Sequence, residues 1–322
     1  LKKGFAGEVM KCSVIISSSN RAVALENTLR TFGEVVIPPG WDAELIVVDN
    51  ASKDHTAKVV RECQLKNFAV RYLYEGRAGK SNALNAGVAA AQGEALLFTD
   101  DDVAPAKDWL EKIATPILNG EYEGVIGKIQ LAENLSRPWI KQDHEMALAA
   151  FDANGRQVTE LIGANMGLHR SVFQRIPGFD PELGPGTSGF GEETLLSWQM
   201  TQAGLRLGSV SAAVVHHPDV SRLLRTEWLK GARRRGSSLA YILHHWQHGE
   251  VKQPLVRYYY LSAKLAFRRL LQPPPALNEE GCPPWEMSYV AEMAMCRQFL
   301  QECRRPRNYA RHGLKKHFQT KF

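Results

Sequence analysis

Glu94-Ala-Leu-Leu-Phe-Thr-Asp-Asp-Asp102 is the stretch that decides the fold. Residues 95–99 form a short apolar run of the kind that makes a buried strand, and the run ends directly in three adjacent carboxylates. Open α/β sheets bind their ligands in the crevice beyond the carboxyl ends of the strands, which is where Asp100, Asp101 and Asp102 fall. Neighbouring carboxylates repel one another unless a positive group is close, and their oxygens suit hard divalent cations. An acidic run alone is more often a solvated turn. Its surroundings decide between the two.

Upstream, apolar runs alternate with amphipathic stretches. Strands are expected at residues 13–17, 44–48, 70–74 and 95–99, with helices at about 24–32, 56–66 and 81–91 between them. This βαβ rhythm predicts an α/β fold with a mostly parallel, Rossmann-like sheet, helices on its faces and right-handed crossovers. Ser52 and Asp54 are expected to cap the second helix and Ser81 the third. Past Asp102, shorter strands are expected at 124–130, 161–168 and 210–215. The segment Ile176-Pro-Gly-Phe-Asp-Pro-Glu-Leu-Gly-Pro-Gly-Thr-Ser-Gly-Phe-Gly191 is turn chemistry throughout, and a loop that long inside a compact domain is usually functional. From His217-Pro218 onward the pattern is helical and basic, broken at Pro273-Pro-Pro275. The expected division is a catalytic domain over 10–220 and a basic helical C-terminal region over 221–322.

The 322 residues are 44% hydrophobic and 23% charged, which suits a sizeable core and excludes a disordered chain. The net charge of +6 and pI of about 9.0 point to an anionic partner. The basic runs lie late, at Arg233-Arg-Arg235, Arg268-Arg269, Arg304-Arg305 and Lys315-Lys316. Five cysteines without a CxxC pair fit neither a zinc site nor a disulfide framework, so a reducing, cytoplasmic setting is expected. No signal-peptide pattern and no apolar run of bilayer-spanning length is present. Residues 1–9, ahead of Met10, read as a leader or an added segment.

Several residues have a chemistry suited to a nucleotide site. Asp49 ends the strand Leu45-Ile-Val-Val-Asp49, where a carboxylate either accepts hydrogen bonds from a nucleobase or ribose or caps the following turn. Gly76-Arg-Ala-Gly-Lys-Ser81 lacks the first glycine of a phosphate loop, position 74 being Tyr. Arg77 and Lys80 nevertheless precede a helix N-terminus, a favourable place for a diphosphate. Glu192 and Glu193 follow the glycine-rich loop and open a helix, and either can be held near a useful pKa as a general base. His216-His217 closes a strand, and an imidazole facing the aspartates would complete a divalent-ion site. His244, His245 and His248 read as surface residues.

Taken together, these segments resemble a family 2 glycosyltransferase of the GT-A fold, over about residues 12–240. Val14-Ile-Ile-Ser-Ser-Ser-Asn-Arg21 resembles the opening strand and nucleotide loop, with Ser-Ser-Ser in place of the usual Pro-Thr-Tyr. Val47-Val-Asp-Asn-Ala-Ser52 resembles the nucleotide-binding Asp segment, and Gly79-Lys-Ser-Asn-Ala-Leu-Asn-Ala-Gly87 the helix behind the donor. Thr99-Asp-Asp-Asp102 resembles the DXD motif, Gly163-Ala-Asn-Met-Gly-Leu168 the acceptor-side strand, and Gly191-Glu-Glu193 the base motif.

The resemblance implies an inverting transfer of a hexosyl or N-acetylhexosaminyl group. The donor would be a nucleoside-diphosphate sugar, UDP-sugar favoured, and the acceptor a glycan or lipid-linked hydroxyl in polysaccharide or glycoconjugate synthesis. It implies donor contacts from Ser18, Asn20, Arg21, Asp49, Arg77, Lys80, Asn82, Asp100, Asp101 and Asn165. Mn2+ or Mg2+ would be held by Asp102, Asp100 and His217, the last chosen over His216 for its spacing from Ala213. The second acid of the base motif points to Glu193, with Glu192 the alternative.

The stretch from Pro254 to Leu271 mixes aromatic, aliphatic and basic residues. It either lies in an anionic interface, giving a peripheral enzyme on the inner membrane face, or packs on the catalytic domain. A sugar-nucleotide pyrophosphorylase would carry glycine after the first strand, where Ser17-Ser-Ser-Asn-Arg21 has none. A nucleic-acid-binding protein would explain the pI but not acids at the sheet edge, which repel phosphate, so no nucleic-acid partner is expected.

Overall fold

The computed structural model describes residues 9–152 and 158–309. Its centre is an eight-stranded sheet of β1 (Met10–Ser18), β2 (Trp41–Asp49), β3 (Ala69–Tyr74), β4 (Ala95–Thr99), β5 (Val103–Pro105), β6 (Gly124–Leu131), β7 (Asn165–His169) and β8 (Leu207–His216). The spatial order is β3-β2-β1-β4-β7-β6-β8-β5. Helices α1 (Ala22–Phe32), α2 (Thr56–Glu62), α3 (Lys80–Ala90), α4 (Trp109–Leu118), α5 (Gln142–Ala147), α6 (Val172–Arg175) and α7 (Glu192–Gln202) lie among the strands. Three longer ones follow β8: α8 (Arg225–His245), α9 (Pro254–Leu271) and α10 (Pro284–Glu302).

The central strands are apolar on both faces, as parallel strands covered by helices must be. Val14 and Ile16 join one core with Leu45, Val47 and Leu97, while Ile15 points the other way with Ile46, Val48, Leu96 and Phe98. The expected parallel pairing holds for β1 through β4. Beyond them the sheet is mixed, because β7 enters antiparallel between β4 and β6. The first strands run β1-β2-β3 in one direction and β4 then returns to the other side of β1. The switch point between β1 and β4 is therefore the crevice where a ligand is expected. α3 reaches it by packing close to β1, and Gly87 permits this, since a Cβ there would stand 2.6 Å from Ile15 Cγ2.

Several sequence expectations shift. The second helix ends at Glu62 rather than 66, as the chain turns back so that Asn67 can donate to the carbonyls of Phe32 and Val35. The strand expected over 161–168 starts only at Asn165, because the Leu161 amide donates to Ser197 Oγ instead of joining a ladder. Asp54 does bond the first turn of α2, through the Thr56 amide and hydroxyl. Ser81 instead lies inside α3 and donates to the Leu183 carbonyl. His244 and His245 are buried, not on the surface: α10 crosses α8 so tightly at Gly236 that a Cβ would meet the Ala291 carbonyl oxygen at 2.0 Å. His245 Nε2 consequently lies 3.1 Å from Glu302 Oε2. Lys315 and Lys316 lie outside the described residues.

Candidate active site

β1 and β4 end side by side, and their side chains bridge the crevice. Ser18 Oγ donates to Asp101 Oδ2 at 2.6 Å. Arg21, just past β1, reaches Asp101 Oδ1 at 2.9 Å and Asp102 Oδ2 at 2.6 Å. Burial pushes Asp101 up to about 6, against the pull of Arg21. Burial would raise Asp102 too, but His216 first and then Arg21 outweigh it and hold this carboxylate well below the usual range.

Asp100, Asp102 and His216 each place one ligand atom within 4.8 Å of the others. The imidazole in this group is His216 and not His217, which corrects the expectation from spacing. Along β8 the pleat puts Ala212, Val214 and His216 on the buried face, whereas His217 lies past the strand with its side chain exposed. His217 contributes only its amide, which donates to the Asp102 carbonyl at 2.7 Å. His216 Nδ1 bonds the Leu148 carbonyl at 3.0 Å, so Nδ1 carries the hydrogen. Were the ring neutral, a bare Nε2 lone pair would face Asp102 Oδ1, 3.2 Å away, and that oxygen is buried with no other hydrogen-bond partner among the described residues. Two lone pairs facing each other need a proton or a cation between them. An imidazole whose second nitrogen donates to a carbonyl is the usual form of a metal-binding histidine. The three residues therefore fit a divalent cation such as Mn2+ or Mg2+.

Lys80, the first residue of α3, is the hinge of the site. Its Nζ lies 2.5 Å from Asp100 Oδ1 and 3.9 Å from Glu192 Oε1. Burial acts to lower its pKa, but Asp100, Glu192 and Glu193 outweigh it, so Lys80 keeps its charge. Glu192 and Glu193 start α7, whose N-cap Gly191 has φ +93, a left-handed conformation that glycine adopts without strain. Burial first, then the charge of Glu193, push Glu192 well above the usual carboxyl range against the pull of Lys80. Glu192 thus keeps its proton at pH values where an ordinary glutamate has lost it. Glu193 Oε2 is buried with no hydrogen-bond partner among the described residues. Gly163 leaves the space beside them open, since a Cβ there would stand 3.2 Å from Lys80 Nζ and 3.7 Å from Glu193 Oε1.

The long loop before α7 is tethered from both sides. Its Pro185 carbonyl accepts from the Lys80 amide, and Asp180 accepts from Tyr241 Oη and Trp246 Nε1 at 2.9 and 2.7 Å. The C-terminal helices therefore hold the loop that carries the carboxylate pair.

The other expected residues divide. Asp49 is buried at the end of β2, taking the Ser52 amide on Oδ1 and Tyr72 Oη on Oδ2, so it does cap the turn. Asn20 joins the first two loops, donating its amide to Ser52 Oγ and accepting from the Lys53 amide. Asn82 donates to the Ala78 carbonyl in the loop before α3. Arg77 is not brought to the aspartates, its guanidinium being paired with Glu75 at 2.8 Å on the rim. Asn165 is also corrected. It is fully buried, its amide bonding Trp109 Nε1 and the carbonyls of Lys128 and Ala212, so it bolts β7 to β6 and β8 instead of facing a ligand. Sequence reasoning missed Asn50, which shapes the loop before α3 by accepting from the Gly79 amide and donating to the Glu75 and Arg77 carbonyls. Its only sequence signal was its place directly after Asp49.

A sheet of this order with an acid–imidazole cluster at its switch point has the GT-A architecture. The chain superposes on the mannosyltransferase PcManGT from Pyrobaculum calidifontis, solved with GDP-Man and Mn2+, with a TM-score of 0.56. The match covers 93% of this chain and 77% of that one at 19% identity, which establishes the shared fold. The chain belongs to glycosyl transferase family 2, whose model matches residues 13–177. It is similar to the probable glycosyltransferase YdaM of Bacillus subtilis (strain 168), 25% identical over 70% of this chain and 56% of that protein. It is also similar to the GalNAc(5)-diNAcBac-PP-undecaprenol beta-1,3-glucosyltransferase of Campylobacter jejuni, 33% identical over 44% of this chain and 47% of that protein. The chain thus spans about half the length of these curated relatives.

Proposed function

We propose that the chain catalyses inverting transfer of a sugar from a nucleoside-diphosphate donor, first among them a UDP-sugar, to a hydroxyl of a glycan or lipid-linked acceptor. The observation that carries this reading is Lys80, a single ammonium beside both Asp100 and Glu192, which makes the acid–imidazole cluster and the carboxylate pair one site. A Mn2+ or Mg2+ bound by Asp100, Asp102 and His216 would neutralise charge on the departing diphosphate. Asp49, Asn20 and Ser18 line the strand ends where a nucleoside belongs, and Arg21 is the cation free to exchange its aspartates for the diphosphate.

Glu193 is the base. Its unpartnered Oε2 takes the proton of the acceptor hydroxyl as that oxygen bonds to the anomeric carbon and the bond from that carbon to the diphosphate breaks on the opposite face. Glu192, holding its own proton beside Lys80, positions Glu193. The lipid-linked class of acceptor is supported by the Campylobacter jejuni relative, whose name states an undecaprenol-linked one.

The test is release of nucleoside diphosphate from a panel of UDP- and GDP-sugars, with Mn2+ and candidate acceptors. Release that needs both metal and acceptor supports the reading. Formation of sugar 1-phosphate from donor and pyrophosphate, with no transfer, would replace it with a nucleotidyltransferase.

A further inference from the structure

Helix α9 leaves an apolar face uncovered. Leu255, Val256, Tyr259, Phe267, Leu270 and Leu271 are all exposed, Leu270 by 80% and Tyr259 by 69%. At about 100° per residue these side chains fall within one arc of roughly 160°, together with Tyr260, Ala263 and Ala266. No charged residue interrupts the arc. Only Leu261 and Leu265, on the opposite side, are buried against the rest of the molecule. Monomeric proteins rarely expose a continuous apolar face of this kind without a partner for it.

The chemistry of the edges selects the partner. α9 contains no acidic residue, and its charges are Arg257, Lys264, Arg268 and Arg269. Arg257 and Arg269 are paired with Glu292 and Glu286 of α10. Lys264, at the border of the arc, and Arg268, further round the helix, instead lie over the rings of Tyr260 and Trp285. Two copies of this face packed about a two-fold axis would bring basic edges against basic edges with no acid on α9 to meet them. An anionic lipid surface complements the same face, taking aliphatic and aromatic side chains into the acyl boundary while Lys264 and Arg268 meet the headgroups. The helix is also firmly mounted, since Glu286 binds both Arg269 of α9 and Arg225 at the start of α8, at 2.6 and 2.5 Å.

We infer that the exposed face of α9 is a docking surface for anionic membrane, on which the protein lies without crossing. Among the described residues no helix is long and apolar enough to span a bilayer, so this attachment is interfacial. The inference goes beyond the sugar-transfer reading and can be tested without donor, acceptor or metal.

The experiment is co-sedimentation of the full chain with phosphatidylcholine vesicles, with and without phosphatidylglycerol. The wild type should bind the anionic vesicles far better, and less as salt rises. Phe267→Ser with Leu270→Ser removes two largely exposed side chains and should lower the partition on the order of a hundredfold, about tenfold for each. Lys264→Gln with Arg268→Gln should reduce the preference for anionic vesicles by roughly tenfold or more, while thermal unfolding of both variants stays near wild type. Equal binding to neutral and anionic vesicles, or wild-type binding by the serine variant, would overturn the inference. A wild-type dimer that binds no vesicles and that the serine pair converts to monomer would overturn it in favour of a second copy.

Discussion

Glu193→Gln isolates the proposed chemistry from the fold. Gln keeps the shape of the side chain, and Glu193 Oε2 has no hydrogen bond to lose among the described residues, so folding should survive with a change of well under about 1 kcal/mol. The donor cluster of Asp100, Asp102 and His216 is left intact, so Mn2+-dependent affinity for the nucleotide should stay near wild type. What disappears is the acceptor of the hydroxyl proton. General base catalysis is worth about 10²–10⁴-fold, which at about 1.36 kcal/mol per tenfold is roughly 2.7–5.4 kcal/mol of barrier. Turnover should fall by that factor at saturating donor. Glu192→Gln should fall less, because Glu192 already carries its proton and Gln preserves a neutral donor beside Lys80. The assay is nucleoside diphosphate release, run beside calorimetry of the nucleotide with Mn2+. Glu193→Gln within about threefold of wild type would refute the assignment, being far below what a lost base removes. A dead Glu192→Gln with an active Glu193→Gln would exchange the two roles.

His216→Ala should weaken Mn2+-dependent nucleotide binding by at least about tenfold while His217→Ala leaves it unchanged, and calorimetry with and without metal decides. Asp49→Ala should weaken the nucleotide by about tenfold or more, and equally with and without metal; wild-type affinity would leave Asp49 as a cap for the Ser52 turn alone. Glu192 also predicts a pH dependence of stability. Its pKa is raised in the folded state, so the native protein binds more protons than the unfolded chain once pH passes the ordinary glutamate value. Wild-type stability therefore falls as pH rises through that window, and Glu192→Gln removes the loss. Relative to wild type, the variant should gain in Tm as pH rises above the ordinary glutamate range, and a Tm difference independent of pH would count against the buried proton.

The sequence by itself determined most of the strands, the acidic triplet at the end of one of them, the glycine-rich loop and the carboxylate pair that follows it. Those signals are local: short apolar runs, an apolar run stopped by charge, and turn residues close together are written in consecutive positions. It also showed that the stretch from Pro254 to Leu271 mixes aromatic, aliphatic and basic residues, though not which of them are covered. Only the tertiary structure decided which side chains meet. His216 rather than His217 faces Asp102 because of where the pleat of β8 ends, and one residue of register moves an imidazole to the opposite face. Asn165 became a buried bolt because Trp109 and the carbonyls of two neighbouring strands converge on its amide. Lys80 joined the two acidic clusters because α3 starts between β4 and the loop before α7, segments far apart in the chain. His244 and His245 went inside because α10 lies across them, and that contact depends on a helix crossing at Gly236 that local sequence cannot announce.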